Sequence, residues 1–115
     1  MRTVGTYCIV YVDEMERATR FYTDVFGAEV RFASPDWTSL VVAGAQIGLH
    51  GGGRGEHHEC GLGFDVDDIE AACAAARAAG GAVVREPEFK ADEGGITLAT
   101  IADTEGNELS LSLAR

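Results

Sequence analysis

Three histidines and a cysteine fall within eleven residues: His50, His57, His58 and Cys60. Imidazole and thiolate are ligands for a transition metal. Two of the histidines, however, lie in the stretch GGGRGEHHE (51–59), which has four glycines in its first five residues. A metal centre needs ligands held by a rigid frame and an outer shell of hydrogen bonds. This stretch therefore reads as a solvated, flexible link. His50 is different, because it ends a strand-like run. A group that titrates near neutrality suits a general base, and a polar strand end beside a loop suits the same position. Asp65 and Glu108 offer negative charge to a ligand amine, while Tyr7, Tyr11 and Trp37 offer flat apolar surface. Cys73 sits on an apolar helical stripe and reads as a small core hydrophobe. With three cysteines and no CxxC spacing, the thiols are expected to be free, in a reducing compartment. No Ser-His-Asp arrangement stands out. The glycine-rich stretch lacks the Lys-Ser/Thr ending of a phosphate loop.

The elements that must position these groups are written twice. VDEMERATRFYTDVFGAEVR (12–31) returns 54 residues later as VDDIEAACAAARAAGGAVVR (66–85). Val12/Val66, Asp13/Asp67, Glu16/Glu70, Gly27/Gly81 and Arg31/Arg85 are among the identities, and the register does not slip. Each copy reads as strand end, acidic turn, helix, glycine stop and next strand. A fixed-period repeat means one supersecondary unit used twice, with function expected between the copies.

Taken in order, residues 6–12 are strand-like, and Asp13-Glu14 suit a helix N-terminus. Met15, Ala18, Phe21 or Tyr22, Val25 and Phe26 recur at helical spacing until Gly27. Strands are expected at 29–33, 37–42 and 46–50, and in the second copy at 60–66, 82–86, 96–101 and 108–113. The second helix has Ile69, Ala72, Cys73, Ala76 and Ala79 on one face, and its alanines suit close packing on a sheet. DTEGN (103–107) is turn chemistry, and residues 90–95 form a polar loop. The outcome is an α+β chain of two βαβββ modules, 1–50 and 60–115, joined by the link 51–59 within a single domain. Helices on one face leave the other face of each sheet to curl around a cleft.

A net charge of −10 excludes the basic face that nucleic acid requires. It serves solubility and is compatible with a cationic small molecule. No apolar run is long enough for a membrane span, and no secretory signal opens the chain, so a cytoplasmic protein is expected.

The pattern resembles the vicinal oxygen chelate superfamily of glyoxalases, ring-cleaving dioxygenases, epimerases and fosfomycin- and bleomycin-resistance proteins. The likeness rests on VDEMERATRFYTDVFG (12–27), its echo VDDIEAA (66–72) and DTEGNELSL (103–111). The last is similar to the family's D-P-x-G-N loop, with Thr104 in place of proline. The resemblance implies a curved mixed sheet around a cleft. In metal-dependent members it also implies four ligands, usually His or Glu, one from each of four strands. Those positions fall here on Tyr7, Gly48, Gly61 and Ser110, none of which suits the ion. The expectation is a metal-free protein without a cofactor, of the bleomycin-resistance branch, whose members are homodimers with a shared ligand site.

Strand alternation divides the sheet faces. Cys8, Val10 and Val12, Ile47 and Leu49, Leu62, Phe64 and Val66, and Leu109, Leu111 and Leu113 should pack under the helices. The mixed faces should line the cleft: Tyr7, Ile9, Tyr11, Trp37, Gly48, His50, Gly61, Gly63, Asp65, Glu108 and Ser110. Glycines that leave volume between aromatic walls suit a small organic ligand, such as an antibiotic or other natural product. Two alternatives remain. One is a metal-dependent lyase, isomerase or dioxygenase in which His50, Glu108 and His57 or His58 converge. The other is a metal-free enzyme using His50, Tyr7 or Asp65 for proton transfer.

Overall fold

The computed structural model describes residues 1–115. The first module runs β1 (Tyr7–Val12), α1 (Met15–Phe26), β2 (Glu29–Ala33), β3 (Trp37–Val42) and β4 (Ala45–Gly51). The second runs β5 (His58–Val66), α2 (Ile69–Ala78), β6 (Ala82–Lys90), β7 (Ile96–Ala102) and β8 (Asn107–Leu113), with a short 3-10 turn at Ala91–Glu93. Each module forms a four-stranded mixed sheet, in the orders β1-β4-β3-β2 and β5-β8-β7-β6. In both, the first strand lies parallel to the last and the remaining pairs are antiparallel. This is the βαβββ duplication expected from the repeat.

One core serves both modules. Val10, Val12, Ile47, Leu49, Leu109 and Leu111 are buried on the helix side of their sheets, with Ala18, Phe21, Tyr22, Ile69, Cys73 and Ala76 from the two helices. Phe21 and Tyr22 are both buried, because α1 faces its own sheet and the second module at once. Phe26 stacks on Phe64 of β5, with ring centroids 3.8 Å apart and planes within 7°. All three cysteines are free, and Cys73 is buried.

The glycines account for several departures from the sequence expectations. Gly27 closes α1 in the left-handed region (φ 66°), donating its N–H to Thr23 O. Its repeat partner Gly81 does not. In α2 the left-handed residue is Gly80 (φ 92°). Gly81 is needed for close approach, since a Cβ there would collide with Ala102 O and lie 2.7 Å from the Phe21 ring. Nor is the glycine-rich segment a loose link. Gly53 donates to Val12 O at 3.0 Å, and a Cβ at Gly53 would lie 2.7 Å from Val12 N. The carbonyls of Gly55 and Glu56 press on Gly106, and His58 N donates to Gly106 O at 2.9 Å. The segment lies against both modules, and β4 and β5 extend to Gly51 and His58 at its ends.

Candidate functional site

The mixed face of the first sheet is solvent-facing and apolar. Tyr7 is 65% exposed and Tyr11 50%, with Ile9 between them on the same face. Ile9 lies opposite Gly48 in register, and Ser39 lies opposite Gly48 on the other side. The missing side chain of Gly48 does not leave a hollow, contrary to the sequence expectation. The Trp37 indole lies across it, so that a Cβ on Gly48 would clash with three atoms of the six-membered ring. Trp37 Nε1 donates to Ser39 Oγ at 2.8 Å, and the Ser34 hydroxyl accepts from Trp37 N at 3.0 Å. These bonds hold the ring flat on the sheet. A hollow of about 230 Å³ remains beside it, lined in part by Tyr7, Arg31, Trp37, Gln46 and Gly48.

His50 completes an aromatic row. Its ring is 5.2 Å from Tyr11 and 6.0 Å, edge-on, from Trp37. His50 Nδ1 lies 2.6 Å from Gly51 O. A carbonyl only accepts, so Nδ1 carries the hydrogen and neutral His50 presents Nε2 as an acceptor.

The mixed face of the second sheet is polar and shallow. Gly63 lies opposite Ser110, and a Cβ there would make only ordinary contact with it. Gly61 is required by its backbone (φ 76°), at the register shift between Glu59 and Gly63. Its backbone alone favours glycine, and the space beside it is open. Ser112 Oγ donates to Asp65, so that carboxylate already has a partner. Glu108 faces His57, with Nδ1 3.6 Å from Oε2. Cys60, half-buried beside it, has its thiol pushed up by burial. A hollow of about 180 Å³ over Arg85, Glu88, Lys90, Leu98, Thr100 and Ser110 is separate from the one at Trp37.

The residues at the family's ligand positions do not fit a divalent ion. Tyr7 and Ser110 supply only hydroxyls, Gly48 is covered by indole, and Gly61 has no donor atom. The displaced set also fails to assemble within one chain. His57 meets Glu108, while His50 stands with Tyr11 and Trp37, and no three His, Cys, Asp or Glu side chains are placed to hold a metal ion.

Sequence reasoning missed the joint between the modules. Glu105, in the turn between β7 and β8, is 1% exposed. Its carboxylate accepts from the N–H groups of Asp13 (3.0 Å) and Glu14 (2.9 Å), from Arg17 Nε (2.8 Å) and from Thr104 Oγ1 (2.7 Å). The expected caps, Asp13 and Glu14, make no such bond themselves. The first helix is thus capped from the other module. Burial would raise the Glu105 pKa, but hydrogen bonds from Arg17, Glu14 and Thr104 outweigh it and hold the group below its usual range. Next to it, Tyr22 donates its hydroxyl to Asp103 Oδ2 at 2.6 Å, and burial together with that carboxylate raises the phenol well above its ordinary value. Asn107 Nδ2 bridges Asp103 Oδ2 and Tyr11 O, both at 2.9 Å. By local pattern DTEGN is a turn; its only further signal is acid and amide content, with arginines on the first helix.

Comparison with known proteins bears on this arrangement. A glyoxalase/bleomycin resistance protein/dioxygenase family enzyme from Burkholderia phytofirmans PsJN is 22% identical. Its TM-score is 0.77, with 95% of this chain and 97% of that chain covered. A glyoxalase/bleomycin resistance protein from Albidiferax ferrireducens T118 is 23% identical, with a TM-score of 0.75 and 97% and 100% covered. The bleomycin-binding protein of Streptomyces verticillus, in complex with copper(II)-bleomycin, is 14% identical, with a TM-score of 0.73 and 100% and 99% covered. These likenesses establish the fold. No curated protein matches. No helix is long and apolar enough to cross a membrane. Residues 6–111 match the family model, and the chain belongs to the Glyoxalase/Bleomycin resistance protein/Dioxygenase superfamily.

Proposed function

We propose that this protein binds a small organic molecule of the cationic or aromatic natural-product class, without a metal, on the mixed faces of its sheets. We further propose that it acts as a cytoplasmic homodimer, a second copy covering the exposed face. The observation that carries the reading is the Trp37 indole laid on Gly48, continued by His50 and Tyr11. Exposed apolar surface of this kind marks interaction sites. A flat ligand stacked on these rings gains about 0.5–1.5 kcal/mol per ring beyond area burial. A cationic ligand gains from the ring faces and from Glu108. The Streptomyces verticillus neighbour binds bleomycin, a precedent for antibiotic sequestration on this fold. Sequestration requires affinity alone.

Metal content of freshly purified, untagged protein is the first test, with zinc, nickel, manganese and iron titrations alongside. The expected result is no stoichiometric metal and no saturable binding. Bleomycin and a panel of aromatic and cationic natural products are then screened by thermal shift, with Trp37 fluorescence as a local reporter. Binding that Trp37→Ala abolishes supports the reading. Near-stoichiometric metal, or a ligand whose affinity ignores Trp37→Ala, overturns it. Light scattering tests the dimer.

A further inference from the structure

A further cavity lies on the opposite side of the first sheet. It holds about 710 Å³ between the first turns of α1 and the hairpin joining β2 to β3, a volume suited to a small organic ligand. It exists because the two helices cover their sheets differently. α2 packs on β6, β7 and β8, whereas α1 packs on β3 and β4 and scarcely reaches β2. The aromatic side chains of α1 are spent on the second module, where Phe21 meets Gly81, Tyr22 meets Asp103 and Phe26 meets Phe64. All five residues of β2 are left exposed.

Three carboxylates line this cavity: Asp13, Glu14 and Glu16. None enters an ion pair with another side chain. Glu14, the N-cap residue of α1, makes no side-chain cap bond, while the backbone N–H groups of Asp13 and Glu14 donate to Glu105. Arg20 is the sole basic residue in the lining. A further polar group stands apart from the acids. Thr38, on the helix side of β3, lines the cavity while only 1% exposed, and its hydroxyl takes part in none of the hydrogen bonds of the neighbouring Ser34 and Thr19. Met15 and Pro35 add apolar surface.

We propose that this cavity is a second binding site, for an organic polyamine. Its ammonium groups pair with Asp13, Glu14 and Glu16, a terminal amine donates to Thr38 Oγ1, and its methylenes lie on Met15 and Pro35. The site is independent of the aromatic row on the other face of the sheet.

Spermidine is the probe, titrated at low salt and followed by amide chemical shifts. The expected result is saturable one-to-one binding, with shifts confined to residues 13–20 and 33–38. Glu14→Gln with Glu16→Gln should weaken it at least tenfold. Arg20→Gln should tighten it, and Thr38→Val should weaken it about threefold or more. Glu70→Gln, at the repeat position of Glu16 on α2, should leave it unchanged. Three results would overturn the site: shifts scattered over the acidic surface, a Glu70→Gln loss equal to that of the double variant, or no effect of Thr38→Val in a folded protein. Spermidine binding unaffected by Trp37→Ala separates this site from the aromatic face, so either can fail alone.

Discussion

The two modules share a fold and a repeat, yet they differ wherever a side chain meets something outside its own copy. The first helix carries Phe21, Tyr22 and Phe26 and reaches into the second module. The second carries Ala75, Ala76 and Gly80 at the corresponding places and packs on its own sheet and against α1. Capping follows the same division. Asp68 caps α2 locally, accepting from Ala71 N at 3.0 Å, while α1 is capped across the module joint by Glu105. The outer sheet faces differ as well, one aromatic and apolar, the other glycine, serine and acid. The two copies are equal scaffolds, and the contacts between them set their side chains apart.

The cap comparison can be broken most directly. Glu105→Ala should cost about 3 kcal/mol, because it removes a buried hydrogen-bonded carboxylate that joins the modules. Asp68→Ala should cost only about 1 kcal/mol, the usual loss of a surface cap. Urea unfolding of both variants decides it, and equal losses would mean that Glu105 is an ordinary cap.

The same carboxylate gives a pH signature. Its folded pKa lies below the unfolded value of about 4.3, so its stabilisation is complete above that pH. It is lost as pH falls through the lower folded value. The stability difference between wild type and Glu105→Gln should hold constant from neutral pH to about 5 and shrink at lower pH. A difference that grows on acidification would refute the assignment.

A smaller contrast separates the paired glycines. Gly81→Ala should destabilise by about 2 kcal/mol through overpacking against Phe21 and Ala102. Gly27→Ala should cost about 1 kcal/mol for its left-handed backbone alone. Thermal midpoints in the reverse order would show that both act as helix stops.

The smallest expected effect on stability sharpens the comparison of the faces. Gly48→Ala must expel the indole, so Trp37 emission should shift to the red. Gly63→Ala, with only ordinary contact to Ser110, should change stability by less than about 0.5 kcal/mol and leave emission unaltered. An unshifted spectrum for Gly48→Ala would mean that the ring does not rest on the glycine.

Much of the fold was legible because its signals are local and periodic. The alternation of Val10, Val12, Leu109 and Leu111, and the helical stripe of Ala72, Cys73 and Ala76, named the buried faces without any partner being known. The site was less legible. Parity put Tyr7, Ile9, Tyr11 and His50 on one face, but whether Gly48 was a void or a seat depended on the rotamer of Trp37, eleven residues away in sequence. At Gly61 the left-handed backbone angle, which no local pattern specifies, is a second reason for glycine.

The sequence by itself determined the repeat, the strand faces and the membership that follows from them, because apolar periodicity and glycine stops act within a few residues of each position. Only the tertiary structure decided how the copies meet. Glu105 reaches Glu14 across 91 residues of chain, Tyr22 reaches Asp103 across 81, and the glycine-rich segment lies down between them. Such contacts depend on how two finished modules dock, where burial removes water and leaves each polar group dependent on a partner that no local pattern specifies.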